Sequence, residues 1–150
     1  MPGIVVGVDG SGHSHRALIW AMRQAAQQHV PLTVMTVRPD PVRPVTDIYW
    51  GAHEYPEDSH NPEVARKAIE EIVEQARNEI GETAPQVTVS VVTGDPAEEL
   101  IKASRDADLV VVGSRGSGGF ASLLMGSVSS KVTHHAACPV VVVRGEGQAS

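Results

Sequence analysis

Short apolar runs alternate along the chain with longer stretches in which apolar residues recur at helical spacing. The short runs predict five strands, which cover Ile4–Val8, Leu32–Val37, Gln86–Val92, Leu109–Val112 and Val140–Val143. The stretches between them predict helices, the first of which carries Ala17, Leu18, Ala21, Met22 and Ala25 on one face. Because strands alternate with helices and the strands are largely apolar, the pattern predicts an α/β fold: an open parallel sheet with helices on both faces.

Local signals predict where the later helices begin and end. Asn61-Pro62 is typical of an N-cap and a first helical position, and Gly81 is typical of a C-terminal cap. Asp95-Pro96 predicts another helix start, with Glu98 placed to complete a capping box. This helix is predicted to end near Arg105, and the last helix to run from about Gly126 to Ala136.

The length of 150 residues predicts one domain that covers 1–150. Two segments stand apart from the compact pattern, a long proline-rich connection at 39–61 and a tail at 145–150 that we expect to be mobile. The connection holds Tyr49, Trp50 and Tyr55, which suits either a variable surface loop or a flap over a ligand.

The charge and the cysteine content narrow the class of protein. The net charge of −6 argues against nucleic-acid binding, which favours a basic face. It permits a nucleotide ligand, because backbone N–H groups can hold phosphate. The apolar runs are too short to cross a bilayer, and Met1–Asp9 is not typical of a secretory signal. The lone Cys138 is expected to be a buried packing residue, and we expect a cytoplasmic protein.

Two loops after strands are the candidates for chemistry. Asp9-Gly10-Ser11-Gly12 follows the first strand, and the glycine-rich segment at 113–119 follows the fourth. In open parallel sheets, ligands bind beyond the carboxyl ends of the strands, where the strand order reverses. Glycines let the backbone approach a phosphate, and the next helix begins near Gly126 with N–H groups that favour an anion. Ser127 and Ser129 add hydroxyl donors, and Arg115 is either a phosphate-binding cation or a solvated side chain.

Commoner motifs do not fit this segment. A P-loop ends in Gly-Lys-Ser/Thr, whereas Gly119-Phe120 stands here. The dinucleotide fingerprint is met only loosely, after the wrong strand and without the acid that would hold a ribose. The seven histidines show no zinc spacing, so a histidine metal site is not expected.

The glycine spacing resembles that of a known family. Gly113-x2-Gly116-x9-Gly126-Ser127 is similar to the ATP-binding motif of the universal stress protein family. The segments Ile4–Ser11, Gly94–Pro96, Gly126–Ser129 and Cys138–Val141 resemble that family as well, so that the likeness covers most of the chain.

This resemblance implies a flavodoxin-like fold of the adenine nucleotide α-hydrolase type, with strand order 3-2-1-4-5. It also implies ATP as the ligand, with adenine near Val37 and Gly7 close to the base. Asp9 would lie by the ribose and phosphates, where it is a candidate magnesium ligand. Taken with the glycine-rich segment, the predicted nucleotide-binding residues are Gly7, Asp9, Val37, Val112, Gly113, Arg115, Gly116, Ser117, Gly118, Gly119, Gly126, Ser127, Val128 and Ser129.

The leading hypothesis for function is an ATP-binding regulatory module of the universal stress type, with a protein partner that the sequence does not identify. One alternative is a slow magnesium-dependent ATPase or phosphotransferase. Asp9 is the only acid well placed for it, and no nucleophile–base pair is evident, so efficient catalysis is not expected. A second alternative is a cyclic-AMP-binding protein.

The fifth strand predicts self-association. Val140–Val143 is apolar and would lie at a sheet edge, where unpaired backbone groups invite a partner strand. The family resemblance implies antiparallel pairing of this strand across a two-fold axis, giving a homodimer. The alternative is a monomer whose edge is covered by the tail.

Overall fold

A computed structural model describes residues 3–9, 12–38, 61–81, 84–114 and 127–144. Within these ranges the chain forms five strands and four helices. In chain order they are β1 (Ile4–Gly7), α1 (Gly12–Gln28), β2 (Leu32–Arg38), α2 (Pro62–Ile80), β3 (Val87–Thr93), α3 (Pro96–Ser104), β4 (Leu109–Gly113), α4 (Ser127–His135) and β5 (Val140–Val143). The predicted tail at 145–150 and the connection at 39–61, apart from Asn61, lie outside the described residues.

The strands pair in parallel in the order β3-β2-β1-β4-β5. Both the predicted fold class and the strand order are therefore confirmed. The chain moves from β1 outward through β2 to β3, and then returns to the other side of β1 for β4 and β5. The strand order thus reverses between β1 and β4, which pair through Val6 and Val111.

Two hydrophobic clusters, one on each face of the sheet, explain why β1, β4 and β5 carry no polar side chains. Ile4 and Val6 pack with α1 and α2, whereas Val5 packs with α3 and α4 on the opposite face. In β4, Val111 belongs to the first cluster and its neighbours Val110 and Val112 belong to the second. Successive side chains of a strand point to opposite faces, so a sheet covered on both sides needs apolar residues at every position.

The predicted capping residues lie at the helix ends. Asn61 Oδ1 accepts a hydrogen bond from Glu63 N at 2.9 Å, and Asp95 Oδ2 accepts one from Glu98 N at 2.9 Å. Gly81 follows α2 with φ of 86°, and its N–H donates to the carbonyl of Arg77. The observed element ends differ from the predicted ones by at most one residue. In β2 and β3 the difference arises because pairing carries the strands past the apolar runs to Arg38 and Thr93.

The prediction of a buried Cys138 is only partly right. The side chain packs against the second cluster, but it is half-buried. Cys138 lies in the turn between α4 and the edge strand β5. Burial raises the pKa of its thiol.

None of the helices in the described ranges is long and apolar enough to cross a membrane.

Candidate functional site

The two predicted loops follow the carboxyl ends of β1 and β4, so they begin at the same end of the sheet. Asp9 follows β1, Ser114 follows β4, and the two strands are neighbours at the point where the strand order reverses. α1 begins at Gly12, shortly after β1, and α4 begins at the same end of the sheet, because Ser129 in its first turn bonds to Ser114 after β4. Parallel sheets form their ligand crevices at this position.

A buried serine accepts a hydrogen bond from the backbone after β1. The N–H of Asp9 donates to Ser14 Oγ at 3.2 Å, and Ser14, in the first turn of α1, is 5% exposed. Val8 N donates in turn to the carbonyl of Met35 on β2 at 2.9 Å. These bonds fix the course of the chain around Asp9, whose side chain is half-buried. Sequence reasoning did not single out Ser14, although a hydroxyl residue in the first turn of a helix is a typical backbone partner.

A second buried serine donates a hydrogen bond to the backbone after β4. Ser129, in the first turn of α4, is 2% exposed, and its Oγ donates to the carbonyl of Ser114 at 3.3 Å. Ser114 is buried as well, and its N–H donates to the carbonyl of Val143 at 2.9 Å. The Ser129 hydroxyl is predicted from the sequence to donate to a phosphate. In the structure this hydroxyl bonds to Ser114, at the start of the glycine-rich segment, and its contact with a phosphate stays a prediction.

Gly7 also has a structural explanation. A Cβ at this position would lie 3.0 Å from Cδ1 and 3.3 Å from Cδ2 of Leu100, which is buried on α3. The glycine therefore lets α3 approach β1 closely. Its predicted place beside an adenine base stays a prediction.

The other predicted residues that the structure describes lie along the same edge. Val37 is half-buried near the end of β2 and packs against the second cluster. Val112 is buried in that cluster, and Gly113 ends β4 opposite Val143. At the start of α4, Ser127 is exposed and Val128 packs against the second cluster. Arg115, Gly116, Ser117, Gly118, Gly119 and Gly126 lie outside the described residues.

The region at the carboxyl ends of β1 and β4 has a feature that suits an anionic ligand. The first-turn N–H groups of α4 have no intrahelical acceptor, and the dipole of the helix favours negative charge at this end. Asp9, which follows β1, adds a carboxylate that would repel an anion unless a cation lay between them. Over the ranges that the structure describes, no group of three or more His, Cys, Asp or Glu side chains is arranged to hold a metal ion.

A comparison with known families matches residues 2–144 to the universal stress protein family. A universal stress protein of Mycolicibacterium smegmatis is 39% identical over 151 residues, which is 99% of this chain and 50% of the relative. Universal stress protein YxiE of Bacillus subtilis is 32% identical and covers 94% of this chain and 97% of its own length. The chain spans about half the length of the mycobacterial relatives that it matches.

Solved structures share the fold. Universal stress protein UspA from Lactobacillus plantarum superposes with a TM-score of 0.76 at 24% identity, over 95% of this chain and 97% of that one. A universal stress protein solved in complex with cAMP gives a TM-score of 0.63 at 25% identity, over 95% and 96%. One from Archaeoglobus fulgidus in complex with dAMP gives 0.64 at 22%, over 95% and 98%. The match of the family model over nearly the whole chain, together with these relatives, shows that this chain belongs to the universal stress protein family.

Proposed function

We propose that this chain binds ATP, as its magnesium complex, in the crevice between the carboxyl ends of β1 and β4, and acts as a nucleotide-dependent regulatory module. The observation that carries this proposal is the meeting of Asp9 and the start of the glycine-rich segment at the point where the strand order reverses. The described residues at the start of these loops, Asp9 and Ser114, are each held by a hydrogen bond with a buried serine. Pre-organised backbone lowers the entropic cost of binding.

The choice of an adenine nucleotide has two supports. The glycine spacing from Gly113 to Ser127 is similar to the ATP-binding motif of the family. Two proteins of this fold were solved with cAMP and with dAMP, both of which carry adenine. In the proposed complex, Val37 lies by the base and Asp9 by the ribose, the phosphates and the metal. The N–H groups of Gly116, Gly126 and Ser127 hold the phosphates.

A titration with Mg-ATP followed by calorimetry tests the proposal. We expect one nucleotide per chain for purified, nucleotide-free protein. Gly116→Val and Gly126→Val should each weaken binding by about tenfold or more, because the new side chain occupies phosphate space and disfavours glycine backbone geometry. Gly147→Val is the matched control, since it makes the same change in the tail and should bind as the parent protein does.

The proposed site is wrong if both glycine variants are folded and bind Mg-ATP with unchanged affinity. A folded, nucleotide-free parent protein that shows no heat of binding would contradict the function itself. Thermal unfolding of each variant separates loss of the site from loss of the fold.

The cAMP complex of a relative at 25% identity favours a second candidate, a cyclic-AMP-binding protein. A cyclic nucleotide has one phosphate, so it would use less of the glycine-rich segment than ATP does. Competition between cAMP and ATP, measured in the parent protein and in Gly126→Val, distinguishes the two. If cAMP binds more tightly and Gly126→Val leaves its affinity unchanged, the second candidate is right.

Slow ATP hydrolysis is the enzymatic alternative. It requires a positioned base or a metal-held water, and Asp9, directly after β1, is the candidate acid of the proposed crevice. Metal-dependent formation of ADP that disappears in Asp9→Ala would support it. Binding without turnover would support the regulatory role.

We propose that two copies of the chain associate through β5. Val110 N donates to the carbonyl of Pro139 at 3.0 Å, and Ser114 N donates to that of Val143 at 2.9 Å. In a parallel pair, alternate residues face the neighbouring strand, so Val140 and Val142 direct their N–H and C=O groups away from β4. A second copy turned by two-fold rotation about Val141 would pair with these groups in antiparallel fashion.

The proposed arrangement is one domain over 1–150 in the cytoplasm. All five strands of the described residues lie in one sheet, which supports one domain. A single cysteine excludes an intrachain disulfide, which suits a reducing compartment.

A further inference from the structure

The opposite edge strand of the sheet, β3, is longer than β5 and also directs backbone groups away from the sheet. It runs over seven residues, Val87–Thr93, against four in β5. Leu32 N donates to the carbonyl of Gln86 at 2.9 Å, and Gly94 N donates to that of Arg38 at 2.8 Å. Because alternate residues face the neighbouring strand, the even-numbered residues of β3 pair with β2. The backbone groups of the odd-numbered residues 87, 89, 91 and 93 therefore point away from the sheet.

An arginine side chain occupies this edge. Arg66 Nη1, on α2, donates a hydrogen bond to the carbonyl of Val89 at 2.8 Å. Val89 is one of the odd-numbered residues, so the carbonyl that Arg66 takes is an outward-facing one. Arg66 is half-buried, whereas the next residue, Lys67, is exposed. The guanidinium thus lies against the edge, and the neighbouring ammonium is in solvent.

The position of Arg66 is fixed by the start of its helix. Asn61 caps α2 through its side chain, and its carbonyl accepts from Val64 N at 3.1 Å and from Ala65 N at 3.3 Å. These bonds place Arg66 in the second turn, beside β3. Farther along α2, Ile69 and Val73 are buried in the first cluster and hold the helix on the sheet. Arg66 is therefore presented by a packed helix rather than by a loop.

We propose that Arg66 closes the β3 edge against pairing with a second copy of this chain, and so confines self-association to the β5 edge. An incoming strand would have to displace a charge-assisted hydrogen bond and accommodate a cation where its own backbone should lie. The closure also limits assembly. A chain with one open edge stops at a two-fold pair, whereas a chain with two open edges continues into a polymer. The limit on the number of chains in an assembly rests on the proposed function's β5 pairing. The closure of β3 by Arg66 does not depend on that pairing.

Sedimentation velocity of Arg66→Met over a range of protein concentrations tests the inference. Methionine keeps an unbranched stem on α2 and removes the guanidinium. We expect the weight-average mass to rise about twofold or more above that of the parent protein at the highest concentrations, as edges pair. Lys67→Met is the matched control, since it removes the same charge from the next residue, away from the edge. It should sediment as the parent protein does.

A second substitution locates the association. Thr88 is an exposed residue of β3, and Thr88→Lys would bring like charges together if two β3 edges paired. Added to Arg66→Met, it should return the mass to the parent value. The inference is wrong if Arg66→Met is folded and sediments as the parent protein, or if its larger species persist with Thr88→Lys. A monomeric parent protein would contradict the β5 pair alone, and Arg66→Met would then be expected to form dimers.

Discussion

A histidine in the left-handed region of backbone conformation ends the first helix. His29 has φ of 56° and follows directly after α1. Its N–H donates to the carbonyl of Ala26 at 3.3 Å, and Val30 N donates to that of Ala25 at 3.1 Å. These two bonds form a Schellman motif with His29 at the position that glycine usually occupies. A side chain with a Cβ is strained there, since the left-handed region brings Cβ close to backbone oxygen.

His29→Gly is therefore expected to stabilise the protein by about 0.5–1 kcal/mol. The substitution relieves the backbone strain of the folded state, and part of this gain is offset by the greater conformational entropy of glycine in the unfolded chain. The measurement is the midpoint of urea unfolding, which should rise at an unchanged slope. Gln27→Gly, at an exposed position inside the last turn of α1, is the control and should lower the midpoint. A lower midpoint for His29→Gly would show that the imidazole stabilises the helix end.

Cys138 is expected to react slowly with alkylating reagents. Burial raises the pKa of its thiol, and the nearby Asp108 raises it further, while a backbone hydrogen bond with Val110 acts in the opposite direction. The reactive thiolate should thus appear at higher pH in the folded protein than in urea. Rates of iodoacetamide modification against pH, in folded and in unfolded protein, measure the difference. A folded protein that reacts at the lower pH would contradict the raised pKa.

The same shift affects stability with a definite sign. Since the folded thiol holds its proton more tightly than the unfolded one, its contribution is complete below the pKa of the unfolded thiol. The contribution is lost as the pH rises through the folded pKa. Cys138→Ala should remove this part of the alkaline loss of stability.

At the scale of elements, signals between residues close in sequence were sufficient to predict where helices start and which segments form strands. Asn61 and Asp95 lie at the helix starts that their residue types predicted, because a cap depends on residues two or three positions away. The strands were recognisable for a similar reason, since burial on both faces leaves no polar positions in β1, β4 or β5. Exact strand ends were less predictable, because they depend on the length of the neighbouring strand.

Contacts between residues far apart in the sequence could not be predicted in this way. Ser129 bonds to Ser114, 15 residues earlier, and Arg66 bonds to Val89, 23 residues later. Neither pair leaves a local pattern, since the partners meet only after the sheet and its helices have assembled. The glycine spacing was recognisable in the sequence, and it predicted a loop with tight turns. It did not predict which residue bonds to the start of that loop.

The third helix offers a test of capping at the scale of one element. α3 has nine residues, and it contributes Ala97 and Leu100 to the second cluster. Asp95→Ala should destabilise the protein by about 1 kcal/mol, because the N–H of Glu98 loses its acceptor. Asp95→Asn keeps an acceptor and should recover most of the loss. The measurement is the midpoint of urea unfolding.

Asp106→Ala is the control for charge. It removes one carboxylate beyond the other end of α3, where a negative charge opposes the helix dipole, so stability should be unchanged or slightly higher. Equal losses in Asp95→Ala and Asp95→Asn would mean that the charge matters rather than the cap.

At the scale of the whole molecule, the two edges of the sheet are unequal. The β3 edge is long and carries Arg66 on an outward carbonyl, whereas the β5 edge is short and consists of four valines. These valines are half-buried in the monomer, so pairing would bury further apolar surface as well as satisfy backbone groups. The asymmetry favours one mode of self-association, a two-fold pair through β5.

Proline substitutions at adjacent positions of β5 separate the dimer from the fold. The N–H of Val142 points away from β4, so Val142→Pro costs no bond within the sheet but prevents that N–H from donating to a second copy. We expect a folded protein whose sedimentation mass falls to about half that of the parent dimer. Val141 faces β4, and Val141→Pro should lower the melting temperature sharply, because it removes a bond of the ladder. A parent protein that stays monomeric at high concentration would refute the pairing. So would a Val142→Pro variant that remains dimeric, since the interface would then lie elsewhere on the molecule.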